Sequence, residues 1–248
     1  MDAVADFFRW LNDVYGVNVS IFYDPFDRSR FMTGLWTTTY LSVVCIVASL
    51  VIGLVGAWAQ GARLRIVRAL VQGYVQLFRN TPPLVQLLFF YFAIGTGLPA
   101  LLQAGGTPEP LLSNIGWAIV SFSLFAGAFN VEIFRSGIEA VPATTREAAE
   151  SLGYSRLGAY VHIVLPLAFR ISLPALNNNL VNLVKTTTLA YAIAVPELLY
   201  ASAQVWSEVL NVREMMNMLL VCYIGLVGVL VLVMSRIERA LRIPGYSA

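Results

Sequence analysis

The fourth apolar run of the chain, at about residues 172–195, contains several amide side chains and a lysine. Asn178, Asn182 and Lys185 follow one another at spacings of four and three, so they share one face of a helix. Polar side chains inside a membrane span are costly and are functional candidates by default. We expect the side chains of this face to form hydrogen bonds either to a solute in a cavity or to a partner helix.

Lys185 is the sharpest of these candidates, because an unpaired ammonium group in apolar surroundings is expensive. Its counter-charge is Glu132, a group in a second subunit, or a carboxylate of the solute. Glu132 has another candidate partner in Arg135, which lies one helical turn further on. The sequence leaves these pairings open.

Three further polar side chains lie within apolar runs, at Gln86, Asn130 and Thr187. They are candidates for lining the same solute path, because a polar side chain inside a membrane span is costly and therefore a functional candidate. Gln86 either faces this path or caps the helix break expected at Pro82.

The polar segment 144–153 indicates a different chemistry, the docking of another protein. Thr144 and Glu147 fit a capping box, in which each side chain accepts a hydrogen bond from the backbone amide of the other residue. Gly153 stands where a left-handed residue would end the helix. These signals predict a helix over 145–152. Ser155 would cap a second helix that runs to a break at Pro166.

A helix of two turns is marginal alone and needs packing. Ala148, Ala149 and Leu152 would give it a small, shallow apolar patch that another protein surface can approach closely. In the alternative interpretation, the segment only closes the helical bundle and Glu147 is a capping residue with no partner.

The elements that must position these residues are membrane spans. The chain has 248 residues, of which 58% are hydrophobic and 12% charged, and its mean hydropathy is +0.72. The charged fraction is about half that of a soluble domain. Apolar runs long enough to cross a bilayer cover about 33–59, 81–102, 113–134, 172–195 and 215–235. The composition therefore predicts an all-α integral membrane protein with five spans.

Basic residues predict the orientation of these spans. With the N-terminus outside and the C-terminus cytoplasmic, eleven arginines face the cytoplasm and four face the other side, as the positive-inside rule requires. The first thirty residues carry Asp2, Asp6 and Asp13, so they do not resemble a signal peptide. Apolar residues at helical spacing there predict an amphipathic helix on the outer interface, and the alternative is a poorly ordered arm.

Catalytic, metal and nucleotide sites are not indicated. Cys45 and Cys222 lie inside apolar runs and are interpreted as reduced core residues. His162, the only histidine, has no cysteine nearby, so no metal-ligand spacing is present. Because there is no glycine-rich phosphate loop, the chain is not expected to bind ATP and Mg²⁺ itself.

A family resemblance now becomes specific. Glu147-Ala148-Ala149, with Gly153 four residues later and Leu165-Pro166 beyond it, resembles the EAA loop of ABC importer permeases. Similarity to the polar amino acid branch of that family extends in order from about residue 33 to 242. It includes the stretch from Tyr74 through Arg79 to Pro82, then Glu132 to Arg135, Val141-Pro142, Leu173-Pro174, Asn178, Lys185, and Pro196-Glu197-Leu198.

The resemblance implies a transport subunit and not an enzyme. Residues 31–248 would form a permease domain with a coupling loop at about 136–170, and residues 1–30 a periplasmic or interfacial segment. Two such permeases, either identical or different, would form the solute path in a bacterial inner membrane. Two cytoplasmic ATPases would hold ATP and Mg²⁺, and an external solute-binding protein would deliver the solute. The lipid bilayer surrounds the spans, and no nucleic acid is involved.

The coupling residues implied by the resemblance lie from Thr144 to Tyr154. The remaining matches outside this segment and the solute path, including Arg79, Pro82 and Pro166, are expected to be structural. A stand-alone channel or secondary transporter is the distant alternative, and it would favour more spans or inverted repeats.

The chain departs from the family pattern in two places. Thr144-Thr145 replace a usual Gly-Gln, and Lys185-Thr186-Thr187-Thr188 replace a usual Lys-Asp-Thr-Ser. Loss of the acid makes the surroundings of Lys185 more positive, which favours glutamate or aspartate as the solute. The tail at 242–245 also resembles glutamate/aspartate permeases. Basic or amide amino acids and opines are the alternatives.

Overall fold

The computed structural model describes residues 2–98, 101–102 and 108–241. These residues are predominantly helical, so the all-α fold class is confirmed. The helices are α1 (Asp2–Tyr15), α2 (Pro25–Gln60), α3 (Arg65–Asn80), α4 (Pro83–Leu88), α5 (Asn114–Glu139), α6 (Ala143–Ser151), α7 (Arg156–Ala159), α8 (Leu165–Thr186), α9 (Leu198–Val209) and α10 (Val212–Ala240).

Several shorter elements connect or extend these helices. Short helical turns of 3₁₀ type lie at Ser20–Phe22, Gly95–Gly97 and Thr187–Ile193, and π-helical turns lie at Phe89–Ile94 and Tyr160–Val164. A minimal antiparallel pair joins β1 (Leu101–Leu102) to β2 (Pro108–Glu109), with Leu101 opposite Glu109. The tail motif at 242–245 lies outside the described residues.

Four helical segments of the described chain are long and apolar enough to cross a membrane. They are Pro25–Gln60, Asn114–Glu139, Arg156–Ile193 and Val212–Ala240, and they correspond to the predicted first, third, fourth and fifth runs. The predicted second run, 81–102, falls on the shorter apolar helix Pro83–Gly97. The segments after the first and fourth runs, which the sequence analysis treats as loops, contain α3 and α9.

The described residues form two compact units, and the first comprises 1–44, 84–121 and 184–228. Its apolar core contains Ile21, Phe31, Leu198, Val205 and Met215. The amide group of Asn114 donates to the Ile193 carbonyl at 2.8 Å. The Leu198 amide donates to the Thr38 hydroxyl at 2.9 Å. These bonds fix both ends of the turn that leads into α9.

The second unit comprises the described residues of the ranges 45–83, 122–183 and 229–248. Glycines bring α2 and α5 into close approach here, since a Cβ at Gly53 would lie 2.4 Å from the Asn130 Cβ and one at Gly56 would lie 2.3 Å from Val131. Small residues at such crossings allow helix backbones to pack without large side chains between them.

Helices α5 and α10 differ in how far they are buried. Two thirds of the most apolar stretch of α5 is buried, whereas none of the corresponding stretch of α10 is. Exposed side chains such as Leu220, Ile224 and Leu232 follow α10. An apolar surface of this extent is unfavourable in water, so this surface of α10 is suited to contact lipid or another subunit.

Candidate functional site

The predicted docking helix is α6, and its N-terminus differs from the prediction. It runs over Ala143–Ser151 and not over 145–152. Pro142 is the N-cap, and its carbonyl accepts from the Thr145 amide at 3.1 Å. No side-chain cap hydrogen bond is present, so the predicted capping box of Thr144 and Glu147 is wrong. Proline fixes φ near the value a helix start requires, which places the start ahead of the threonine.

The C-terminus of α6 is built as the sequence predicts. Gly153 has φ +91°, a conformation that glycine adopts without strain. The Tyr154 amide donates to the Ala149 carbonyl at 3.1 Å, and the Gly153 amide donates to the Glu150 carbonyl at 3.0 Å. This pair of bonds is a Schellman motif, which satisfies carbonyl groups that a helix end otherwise leaves open. The end of α6 is therefore fixed by backbone bonds.

The surface of α6 is only partly the predicted apolar patch. Ala149 is buried and faces the rest of the protein, whereas Ala148 is exposed. Leu152 is 81% exposed, and Leu157 just beyond the turn is also exposed. Glu147 is exposed and lies on the same short helix. Large uncovered apolar side chains in a polar turn are typical of a surface that binds a partner.

The helix after this turn is longer than predicted. The Ser155 hydroxyl accepts from the Gly158 amide at 3.1 Å, so the predicted N-cap is present. The predicted break at Pro166 is wrong, because one continuous helical segment runs over Arg156–Ile193. A π-helical turn precedes the proline, and the Leu165 amide donates to the Tyr160 carbonyl five residues back. This wider turn accommodates a residue that lacks an amide hydrogen.

The asparagines of α8 divide into an inward and an outward set. Asn178 and Asn182 are exposed, and Lys185 further along the same helix is exposed as well. Among the described residues, no carboxylate lies within ion-pair distance of the Lys185 ammonium group. The predicted polar positions on α8 are therefore accessible.

Asn130 and Asn179 are buried together, and spacing alone does not distinguish Asn179 from its neighbours. The Asn179 amide group donates to the Asn130 side-chain oxygen at 2.8 Å and to the Ala126 carbonyl at 3.0 Å. The Asn130 amide group donates to the Ser49 hydroxyl at 3.2 Å. These bonds join α2, α5 and α8 within the second unit. The run of three asparagines at 177–179 was the available signal.

Gln86 and Thr187 are buried too, although the sequence places them beside the solute path. The Thr187 hydroxyl donates to the Val184 carbonyl at 2.7 Å. Both side chains therefore lie beneath the surface of the chain and not on an exposed face.

Glu132 lies in a charged network on α5. Its carboxylate accepts from Arg135 at 2.8 Å, the pair that their spacing predicts. Arg79 of α3 approaches the same carboxylate at 3.7 Å, and Arg135 also binds Glu139 at 2.6 Å. Gln60 donates to Glu132 at 3.4 Å. This network makes Glu132 a structural counter-charge for two arginines.

A cavity of about 660 Å³ adjoins this network. Its walls carry Gln60, Gln72 and Gln76 together with Arg68, Glu132 and Arg135. Charged and amide groups therefore form part of the lining, together with less polar side chains such as Ile138 and Tyr160.

Glu197 is a buried acid to which the sequence assigned no role of its own. It lies outside the four long apolar helices, is fully buried, and caps α9 by accepting from the Leu199 and Tyr200 amides at 2.8 Å each. The Tyr223 hydroxyl donates to it at 3.3 Å. Burial raises the pKa of Glu197 from an ordinary 4.5 to about 7. An acidic residue just before an apolar helical stretch was the signal for this cap.

Comparison with curated proteins places these features in a family. Residues 49–243 match the family described as binding-protein-dependent transport system inner membrane component. The probable glutamine ABC transporter permease protein GlnM of Bacillus subtilis is 32% identical over 225 residues, which cover 91% of this chain and 98% of GlnM. The glutamate/aspartate import permease protein GltJ of Escherichia coli is 26% identical over 227 residues, which cover 89% of this chain and 92% of GltJ.

Solved structures show the same fold. A crystal structure of an amino acid ABC transporter has a TM-score of 0.75 and 23% identity, covering 86% of this chain and 94% of the other. An inward-facing MetNI methionine ABC transporter has a TM-score of 0.67 and 22% identity, covering 89% and 99%. The chain therefore belongs to the family of binding-protein-dependent transport system inner membrane components, as an ABC transporter permease of the polar amino acid type.

Proposed function

We propose that the chain is the permease subunit of an ATP-driven importer that takes polar amino acids from a solute-binding protein. It forms the solute path with a second permease in a bacterial inner membrane. The observation that carries this proposal is α6, a short helix with a fixed end and an uncovered Leu152. The family membership of the chain supports the same assignment.

In this proposal α6 is the coupling helix that contacts an ATPase subunit. ATP and Mg²⁺ are held by that partner, and closure of the two ATPases displaces α6. The Schellman turn and the Ser155 cap join α6 to the helix Arg156–Ile193, which carries Asn178 and Asn182. A stiff connection of this kind passes a displacement at one end to the polar residues of the helix.

The proposed solute path lies along the exposed polar positions of α8. Lys185 offers an ammonium group to the α-carboxylate that every amino acid carries, and Asn178 and Asn182 offer amide donors and acceptors. Gln86, Asn130 and Thr187 are buried, so we do not propose that they contact the solute. The relatives are named for glutamine, cystine, glutamate/aspartate and histidine, lysine, arginine and ornithine transport.

Within this class, we favour glutamate or aspartate as the solute. Lys185 is followed by Thr186 where the family usually has an acid, so no carboxylate beside the lysine opposes a second negative charge. Glu132 is bound by Arg79 and Arg135, and no carboxylate of the described residues pairs with Lys185, so the lysine is available to the solute.

The coupling role is tested by replacing Leu152 with Asp and measuring capture of the ATPase subunit and ATP-dependent uptake. Leu152→Asp should abolish both, because a carboxylate is placed in an apolar contact. Leu210 is 83% exposed in the first unit, and Leu210→Asp is the matched control that should leave capture of the ATPase subunit unchanged. Normal capture and uptake by Leu152→Asp, with an unchanged unfolding midpoint, would contradict the assignment.

The solute role is tested on Lys185, which is the only lysine of the chain. An amine-reactive reagent that labels it in the reconstituted transporter should be excluded by the transported amino acid. Lys185→Met should reduce uptake and weaken the preference for acidic amino acids, whereas Lys185→Arg should retain part of both. Unprotected labelling together with unchanged uptake by Lys185→Met would rule out the role.

A further inference from the structure

Helix α1 presents three different faces. On the first, Phe8 stacks on Phe22 with ring centroids 4.2 Å apart, so this face is held against the protein. On the second, Asp6 and Arg9 form an exposed ion pair at 3.3 Å, and Asp13 continues the charged row. The third face is apolar and uncovered, with side chains about half exposed at Val4, Phe7, Trp10 and Val14.

Aromatic residues dominate the uncovered face. Phe7 and Trp10 have ring centroids 6.1 Å apart, and Trp10 meets Tyr15 edge to face at 5.5 Å. Trp and Tyr are enriched where a membrane meets water, because their rings are apolar and their polar atoms remain hydrated. A helix with one apolar and one charged face is the form that lies in such an interface.

The connection to α2 holds α1 in place and excludes a free arm. Ile21 is buried in the core of the first unit. Arg28 donates from Nε to the Ile21 carbonyl at 3.2 Å, and the Asn211 amide group donates to the Asn18 carbonyl at 3.0 Å. Asp24 accepts from the Phe26 amide at 2.8 Å, which fixes the start of α2.

The uncovered face of α1 lies close in sequence to the exposed apolar surface at the start of α2. Phe26, Met32 and Trp36 of that helix are all exposed, and α2 is long and apolar enough to cross the bilayer. An element held at the beginning of a span is near the level where the span leaves the hydrocarbon. Lipid is therefore a partner that suits both surfaces.

We propose that α1 lies in the membrane–water interface on the side of the N-terminus, with lipid covering the face of Val4, Phe7, Trp10 and Val14. The charged row contains Asp6 and Asp13 against one arginine, so it favours zwitterionic over anionic headgroups. The helix anchors the beginning of α2 at a fixed depth. This inference concerns lipid contact and holds whatever solute the chain transports.

The test uses the full chain in phosphatidylcholine vesicles, with Cys45 and Cys222 replaced by serine. Single cysteines at 7, 10 and 14 and at 6, 9 and 13 receive a nitroxide label. Labels at 7, 10 and 14 should be accessible to oxygen and shielded from a water-soluble nickel chelate, and the other three should show the opposite order. Adding phosphatidylglycerol should not deepen the first set.

Two results would overturn the proposal. Equal nickel accessibility at all six positions would indicate a helix in water. Shielding that appears only after the solute-binding protein is added would assign the face to that protein. Because Phe7→Cys and Trp10→Cys each remove one aromatic ring, the label at Val14→Cys decides within the first set, since both rings remain in that variant.

Discussion

Glu197 provides a prediction whose sign and size follow from its surroundings. Replacing it with glutamine removes a buried charge and retains a side chain of the same shape. The carboxylate is fully buried and its pKa is raised from 4.5 to about 7, chiefly by loss of water, even though two amides donate to it. The difference corresponds to about 3 kcal/mol, at about 1.4 kcal/mol for each pKa unit.

The sign follows from proton binding. Between about pH 4.5 and 7 the folded chain holds a proton that the unfolded chain releases, so the free energy of unfolding falls as the pH rises through this window. Glu197→Gln is neutral at every pH and lacks this fall. After loss of about 1 kcal/mol of helix capping, the variant should exceed the parent by about 2 kcal/mol at pH 8, which is about 4–8 °C in unfolding midpoint.

The assay is thermal unfolding of the purified chain in detergent at several pH values from 5 to 8. Only the difference between parent and variant is read, because other groups contribute equally to both. Glu208→Gln is the control for loss of a carboxylate on the same helix, because it removes an exposed acid that pairs with Arg30 at 2.7 Å. A constant difference between Glu197→Gln and the parent across this range would refute the reasoning.

Three further predictions concern the second unit and use the same unfolding assay. Gly53→Ala places a Cβ 2.4 Å from that of Asn130 and should lower the free energy of unfolding by about 1–3 kcal/mol. Gly225→Ala is the control, because its Cβ meets open space and should not lower the stability. Equal unfolding midpoints for the two variants would contradict the close approach. Asn179→Ala removes the donor to Asn130 and should cost about 1–3 kcal/mol, against a small change for exposed Asn178→Ala. Glu132→Gln leaves Arg79 and Arg135 without their shared carboxylate. It should lower the unfolding midpoint more at low salt than at high salt, because salt screens charge interactions. A loss of stability that does not depend on salt would argue against a charge effect.

Features encoded in short stretches of the chain were predictable. The apolar runs locate the four long helices because crossing hydrocarbon requires a continuous apolar length. Gly153 and Ser155 were identified correctly, since each acts on backbone groups within four residues of itself. The amphipathic helix at the N-terminus is also present.

Features decided by competition between signals were not predictable. Thr144 and Glu147 fit a capping box, but Pro142 had already begun the helix. Pro166 was expected to end a helix, but a wider turn upstream supplies the carbonyl geometry that a proline needs. Each residue followed its usual preference only where no neighbour had a stronger one.

Contacts between residues distant in sequence decide which asparagines of α8 are buried and which are exposed. Asn178 and Asn179 are chemically identical neighbours, and their roles differ because Asn130 lies against only one of them. Asn130 is in turn positioned by the close approach of Gly53. No local pattern carries that information, so the accessible polar face could be predicted from spacing while its buried support could not.

The π-helical turn at Tyr160–Val164 also determines the rotation of α8 about its axis relative to the residues before the turn. An α-helix turns by about 100° per residue, and a π turn contains one residue more than an α turn. If the same residues were wound as a regular α-helix instead, the extra residue would rotate Asn178 and Asn182 by about 100° relative to α6. The direction in which these amides point is therefore determined by the winding of a segment that lies upstream of them.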